Sequence, residues 1–284
     1  MCQRTNRAKQ TACIIYTDMY AGISTASLFL RKNNEDALPY LGSLGVSTTE
    51  VFLTTYSEYG EPFASLLKER QGNVSVNSVH ILNTQFEPQL FNAHPRARAD
   101  AYAWLQRVLD SANVLGAPYY TFHGIARVKR ASRSGENDNF PAMISAFRDI
   151  SDFCENRGVK LCLENVEWAS YNRPGVFARL AHEIPALGGV LDIKQARISG
   201  EPYEKYLEEM QDRLAYVHIS DIDTNGKICL PGKGTFDFAT LIKRLRDIGF
   251  AGALLIEVYT GDYDKEEELA HSYEYVCELM DKIV

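Results

Sequence analysis

Along most of the chain, short apolar runs of strand length alternate with longer stretches in which apolar residues recur every three to four positions. The first pattern belongs to a buried strand, the second to a helix packed on one face. Between residues 99 and 115, Ala101, Trp104, Leu105, Val108, Leu109, Ala112 and Leu115 form one helical stripe, and the run 118–122 behind it reads as a strand. Met143, Ile144, Phe147, Ile150 and Cys154 make the next stripe, closed by Gly158 where a left-handed cap would sit, and 159–163 is the next strand. The alternation continues with a helix over 174–184, a strand over 189–191, a helix over 203–213 and a strand over 214–219. It ends with a helix over 238–248, a strand over 253–256 and a last helix over 266–284. Nearer the start, 21–24, 50–53 and 76–81 predict strands, with helices over 36–44 and 62–70 between them. Eight strands and eight helices in strict alternation predict an α/β fold with a parallel sheet. At this length they favour a closed (β/α)8 TIM barrel, a single domain over residues 20–284, rather than an open doubly wound sheet. Residues 1–19 read as an N-terminal extension, in which the apolar stretch 12–16 is a stray strand, a barrel plug or a loose segment.

Composition narrows the function more than the fold. The 284 residues carry 30 Lys and Arg against 37 Asp and Glu, a formal charge of −7, which disfavours generic nucleic-acid binding through phosphate neutralisation. No apolar run has the length of a membrane span, and Arg4, Arg7 and Lys9 precede no adequate apolar segment. The six cysteines are scattered, without a C-x-x-C pair, so reduced thiols and a cytoplasmic location are expected. No G-x-G-x-x-G follows the first strand, so a dinucleotide-binding reading has no support.

In a barrel of this kind, chemistry gathers at the C-terminal ends of the strands. Four consecutive predicted strands end there in metal-competent side chains: Glu164, Asp192, His218 and Glu257. Any one such acid is commonly a helix N-cap or a solvated loop charge. Four in succession, converging on one axis, place three carboxylates where a cation would offset their repulsion. Three oxygens and one imidazole suit a single divalent ion, Mn, Zn, Mg or Co.

At these residues the chain resembles the xylose isomerase-like TIM barrels, the group of sugar-phosphate isomerases, epimerases and endonuclease IV-like enzymes. The resemblance rests on LENV at 163–166, VLD at 190–192, VHISD at 217–221, LPGKGTFD at 230–237 and LIEV at 255–258, and more loosely on 22–24, 45–53 and 79–80. It implies that Glu164, Asp192, His218 and Glu257 hold one divalent metal, and that Glu164 and Glu257 are also the catalytic acid and base. Moving a proton between carbons of an α-hydroxy carbonyl needs a Lewis acid for the oxygens and bases near the carbons, which this set provides. The expected activity is a divalent-metal-dependent sugar, sugar-acid or sugar-phosphate isomerase or epimerase working through a metal-bound enediolate. Sugar-active members commonly show Asp-x-x-His on the sixth strand, whereas here DIKQ puts Gln195 at the histidine position and adds Lys194. Histidines placed like His80 and His123 bind a second zinc in the endonuclease IV group, so these two are candidates for a second metal or for substrate. The third-metal ligands of that group are missing, because Gln195 replaces a histidine and the loop around 226–228 lacks Asp-x-His.

The remaining candidates each carry two readings. Lys194 neutralises a substrate anion or steadies an enolate, or else begins an outward turn. Lys233, between Gly232 and Gly234, and Asp221, closing the 217–221 motif, are further substrate-contact candidates. Trp168 and Tyr171 form a wall against a sugar face or pack as core. The basic segment 127–133 captures a phosphate or is a solvated loop. Three functions compete: the isomerase or epimerase acting on a small carbohydrate, with a homo-oligomer among the expected states; a zinc-dependent phosphodiesterase or abasic-site endonuclease, or a dehydratase on the same metal site; and a barrel that binds a metabolite without catalysis.

Overall fold

The computed structural model describes residues 19–82, 85–125 and 140–283. The segments 12–16 and 127–133 therefore lie outside the described residues.

Eight parallel strands close into one barrel. They are β1 (Tyr20–Ser24), β2 (Thr48–Leu53), β3 (Ser75–Ile81), β4 (Tyr119–Phe122), β5 (Lys160–Glu164), β6 (Gly188–Asp192), β7 (Leu214–Ile219) and β10 (Ala253–Ile256). β1 closes the ring by pairing with both β2 and β10. Helices α1 (Asn34–Ser43), α2 (Glu61–Arg70), α3 (Pro95–Leu115), α4 (Phe140–Glu155), α5 (Val176–Glu183), α7 (Tyr203–Met210), α8 (Phe238–Asp247) and α9 (Glu268–Lys282) fill the connections or follow the last strand. This is the (β/α)8 barrel the alternation predicts. Two pieces carry no periodic signal of their own: the six-residue helix α6 (Ile193–Ile198) directly after β6, and a small antiparallel hairpin of β8 (Asp221–Ile222) and β9 (Ile228–Cys229) after β7. Both are too short for a hydrophobic period to show.

Strand alternation explains why the site is polar although the strands read as apolar. Successive side chains point to opposite faces of a strand. Leu161 and Leu163, Leu191, Val217 and Ile219, and Leu254 and Ile256 join the core that contains the helical residues Leu105, Phe147, Leu180 and Leu241. Between them, Cys162, Val190, Tyr216 and Leu255 form a separate cluster, the apolar layer inside the barrel. One further step of two along each strand gives Glu164, Asp192, His218 and Glu257, so the four candidates share the inward face just above that layer. The register is consistent with this, since Asp192 is opposite His218, and His218 is opposite Leu255. Gly22 fits the same crowding: a Cβ there would stand 2.6 Å from a Leu255 methyl.

Candidate metal centre

Glu164, Asp192, His218 and Glu257 each offer a ligand atom, all within 4.8 Å of one another, and all four residues are buried. His218 Nδ1 lies 2.9 Å from Glu164 Oε1 and 3.3 Å from Glu257 Oε2. Asp192 is held by the backbone on both sides. Its Oδ1 accepts the Gln195 N–H at 2.8 Å as the N-cap of α6, while Asn165 Oδ1 accepts the Asp192 N–H at 2.7 Å and Asn165 Nδ2 donates to its carbonyl at 2.8 Å. The capping and metal readings of Asp192 are thus compatible, because each uses a different oxygen. Asp192 Oδ2 and Glu257 Oε2 are buried without a hydrogen-bond partner. Their nearest cationic groups, Lys194 Nζ at 3.7 Å from Asp192 Oδ2 and His218 Nδ1 at 3.3 Å from Glu257 Oε2, make no directed hydrogen bond, so both oxygens keep lone pairs for a ligand and the donor set fits a divalent ion.

A second cluster adjoins the first. His80 Nε2 and His123 Nε2 face each other at 2.9 Å, and His123 Nε2 lies 3.3 Å from Glu164 Oε2. Each imidazole is backed by a carboxylate absent from the sequence-derived set. Glu50, on β2, sits 3.2 Å from His80 Nδ1 and accepts hydroxyls from Ser24 at 3.1 Å, Ser78 at 2.8 Å and Thr121 at 2.5 Å. It also lies 3.1 Å from His218 Nε2, without forming a directed hydrogen bond. Glu87, from the 3-10 turn Glu87–Phe91, accepts the His123 Nδ1–H at 3.1 Å and the Tyr120 hydroxyl at 2.7 Å. Glu50 was detectable as an acid within an apolar strand at an inward position. Glu87 lies in an irregular loop and has no such signal.

The electrostatics follow from this crowding. Burial raises the Glu50 carboxyl, but His218 and His80 outweigh it and hold it well below the usual carboxylate range. Glu164 is lowered in the same way, against burial, by His123 and His218. Burial opposes charging of His123, yet Glu87 and Glu164 raise its pKa to about 10. Asp192 is raised to about 6, chiefly by burial, with Glu164 and Glu257 adding to the effect of desolvation and Lys194 opposing it. Lys194 is held above the ordinary lysine range because Asp192 and Glu257 overcome its burial.

The other candidates separate clearly. Lys194 does not begin an outward turn: it is buried, with Nζ 3.7 Å from both Asp192 Oδ2 and Glu257 Oε1. Gln195 is buried, its Oε1 accepting the Glu167 N–H at 3.3 Å. The Trp168 ring stands 5.3 Å from that of His123 and is partly exposed, at the mouth of the site. Tyr171 is core, packed on Phe177 and Tyr206. Asp221 organises a loop: its carboxylate accepts the N–H groups of Ile222 at 2.7 Å, Gly232 and Gly234 at 3.0 Å, and Phe236 at 2.9 Å. The exposed ammonium of Lys233 faces Glu268 at 3.9 Å.

Fold and site define a TIM barrel with an acid- and histidine-lined mouth. The chain belongs to the Xylose isomerase-like TIM barrel family, whose model matches residues 39–279. Among curated proteins it is 25% identical over 118 residues to fructoselysine 3-epimerase of Escherichia coli O157:H7, covering 39% of this chain and 43% of that one. It is also 23% identical over 274 residues to an uncharacterized protein of Mycobacterium leprae, covering 89% and 95%. The chain spans about half the length of the curated relatives it matches first, 57% and 43%. Solved structures of the same fold include a D-tagatose 3-epimerase-like protein (TM-score 0.76, 17% identity, 93% of this chain and 98% of that one). Another is the IOLI protein with a binding zinc atom (TM-score 0.75, 16% identity, 94% and 99%). No described helix is long and apolar enough to cross a membrane.

Proposed function

We propose that the chain is a divalent-metal-dependent isomerase or epimerase of small carbohydrates, with Glu164, Asp192, His218 and Glu257 as the metal set and Glu164 and Glu257 as the proton-transferring pair. The observation that carries this reading is the pair of orphaned oxygens, Asp192 Oδ2 and Glu257 Oε2, buried beside His218 and Glu164. The relatives whose names specify 3-epimerases support the same class. A bound divalent ion would supply Lewis acidity for a substrate carbonyl oxygen. The protein supplies the rest. Glu164 and Glu257 reach the centre from β5 and from the end of β10, and lie 2.9 and 3.3 Å from His218 Nδ1. Two carboxylates so placed can remove a proton from one side of a carbon and return it from the other, which inverts the centre, or carry it to the adjacent carbon. Trp168, with its indole at the mouth beside His123, offers an apolar face to a sugar ring.

The test is deuterium uptake from heavy water into a panel of ketohexoses, read by mass spectrometry with Mn²⁺ present. Wild-type protein should incorporate solvent deuterium; Glu257→Gln, assayed at Mn²⁺ concentrations that saturate the variant, should lose exchange by at least 10²-fold, the scale of a positioned acid or base. Undiminished exchange in that variant would remove Glu257 from catalysis. A zinc-dependent phosphodiesterase is the second reading, favoured by the convergence of His80, His123 and Glu164. Cleavage of abasic-site DNA by the zinc-loaded protein, lost in Glu164→Gln, would establish it instead.

A further inference from the structure

Lys194 is the one lysine whose ammonium is buried against the candidate ligands among the described residues, and Nζ has no hydrogen-bond partner. It stands equidistant from Asp192 Oδ2 and Glu257 Oε1, 3.7 Å from each and beyond direct bonding. The Tyr259 ring lies over it at 4.2 Å, and Tyr259 itself, just past the end of β10, is 55% exposed. An ammonium has three donors, and two carboxylates at 3.7 Å with an aromatic ring above leave them without a directed hydrogen bond in a buried site, which is unfavourable. A divalent ion sharing the same two carboxylates would also be repelled by this fixed positive charge. A negatively charged ligand group between the two cations removes both penalties.

We infer that the substrate carries a carboxylate next to its carbonyl carbon, as a keto-aldonate does, and that Lys194 is the specificity-determining residue that receives it. The position of Nζ, 3.7 Å from the Asp192 and Glu257 oxygens that would hold the metal, favours one attachment point. A group that meets Nζ while the neighbouring oxygens occupy the Asp192–Glu257 centre must be bonded within about one carbon of those oxygens. A phosphate on the far end of a sugar is several bonds away. The inference rests on the metal reading above and adds a thermodynamic linkage: anion and metal each favour binding of the other.

The experiment measures Mn²⁺ affinity by calorimetry alone and with D-fructose, D-fructose 6-phosphate or 2-keto-D-gluconate, for wild-type protein and Lys194→Met. In the wild type, 2-keto-D-gluconate should tighten Mn²⁺ binding at least tenfold and the other two less than threefold. Lys194→Met should bind Mn²⁺ alone more tightly than wild type and show no tightening by 2-keto-D-gluconate. Equal effects of all three sugars on the wild-type protein overturn the inference without recourse to the variant, as does coupling that survives in Lys194→Met. Mn²⁺ binding without anion dependence sinks this inference only. Absence of Mn²⁺ binding altogether sinks the metal reading and this inference with it.

Discussion

Replacing Glu50 with glutamine tests whether the buried carboxylate under the site orients the imidazoles above it. Glu50 is fully buried and has three hydroxyl donors and two imidazoles around it. Glutamine keeps the shape and one acceptor. Its amide NH₂ would face Ser78 and Thr121, whose hydroxyls can rotate to accept, so much of the hydroxyl bonding is recoverable. The charge opposite His80 and His218 is not. Hydrogen bonds to a charged group contribute ~1.5–3 kcal/mol, and removing one partner of a buried pair costs ~3–5 kcal/mol; since the His218 contact is undirected, a loss of about 2–4 kcal/mol is expected. For a chain of this size that is a fall in Tm of roughly 4–16 °C, at ~2–4 °C per kcal/mol. The sign of the pH dependence follows from the lowered Glu50 pKa. Its contribution is fully present above the unfolded carboxylate value, 4.5, and is lost as pH falls toward the native value, so Glu50→Gln should flatten the acid limb of the stability curve. Because groups behind a ligating histidine commonly alter metal affinity by ~10–100-fold, Mn²⁺ binding should weaken by about that factor. Thermal and urea denaturation at pH 7, with Mn²⁺ calorimetry on the same samples, reads both effects. A variant as stable as its parent and equal in Mn²⁺ affinity would refute the argument, and a stability loss alone would make Glu50 a core group rather than an orienting one.

Three further outcomes follow from the same geometry. Asp192, raised to about 6, must be ionised to ligate, so Mn²⁺ affinity should fall by about tenfold per pH unit below 6, and a flat profile between pH 5 and 7 would count against Asp192 as a ligand. In the metal-free protein the sign is opposite: the raised Asp192 pKa contributes stability that is complete below 3.8 and lost as pH rises through about 6, read as the pH dependence of the Tm difference between wild type and Asp192→Asn. Asp221→Ala removes the acceptor of four backbone N–H groups and should cost about 2–4 kcal/mol in a denaturation titration while Mn²⁺ affinity stays within about threefold. A larger loss of affinity would return Asp221 to the site.

The linear chain determined the barrel, because burial of every strand between an inner layer and a helical shell imposes apolar runs and helical stripes that composition cannot disguise. It also determined which residues can bear chemistry at strand ends: an acid or histidine directly after Leu163, Leu191, Val217 or Ile256 is visible in one dimension. Local signals failed where the same residue type serves different ends. Asp192 directly follows Leu191 and Asp221 lies two positions past Ile219, yet Asp221 is consumed by backbone amides of a distant turn and Asp192 keeps an oxygen without a hydrogen bond. Lys194 is two residues from Asp192 in sequence, but only the short helix α6 folds its ammonium back under Tyr259. The pairing of Glu50 with His80 and of Glu87 with His123 joins residues 30 and 36 positions apart. Such partnerships depend on strand register and loop path, which are set by the closing of the whole sheet rather than by any segment's own periodicity. Only the tertiary structure could decide them.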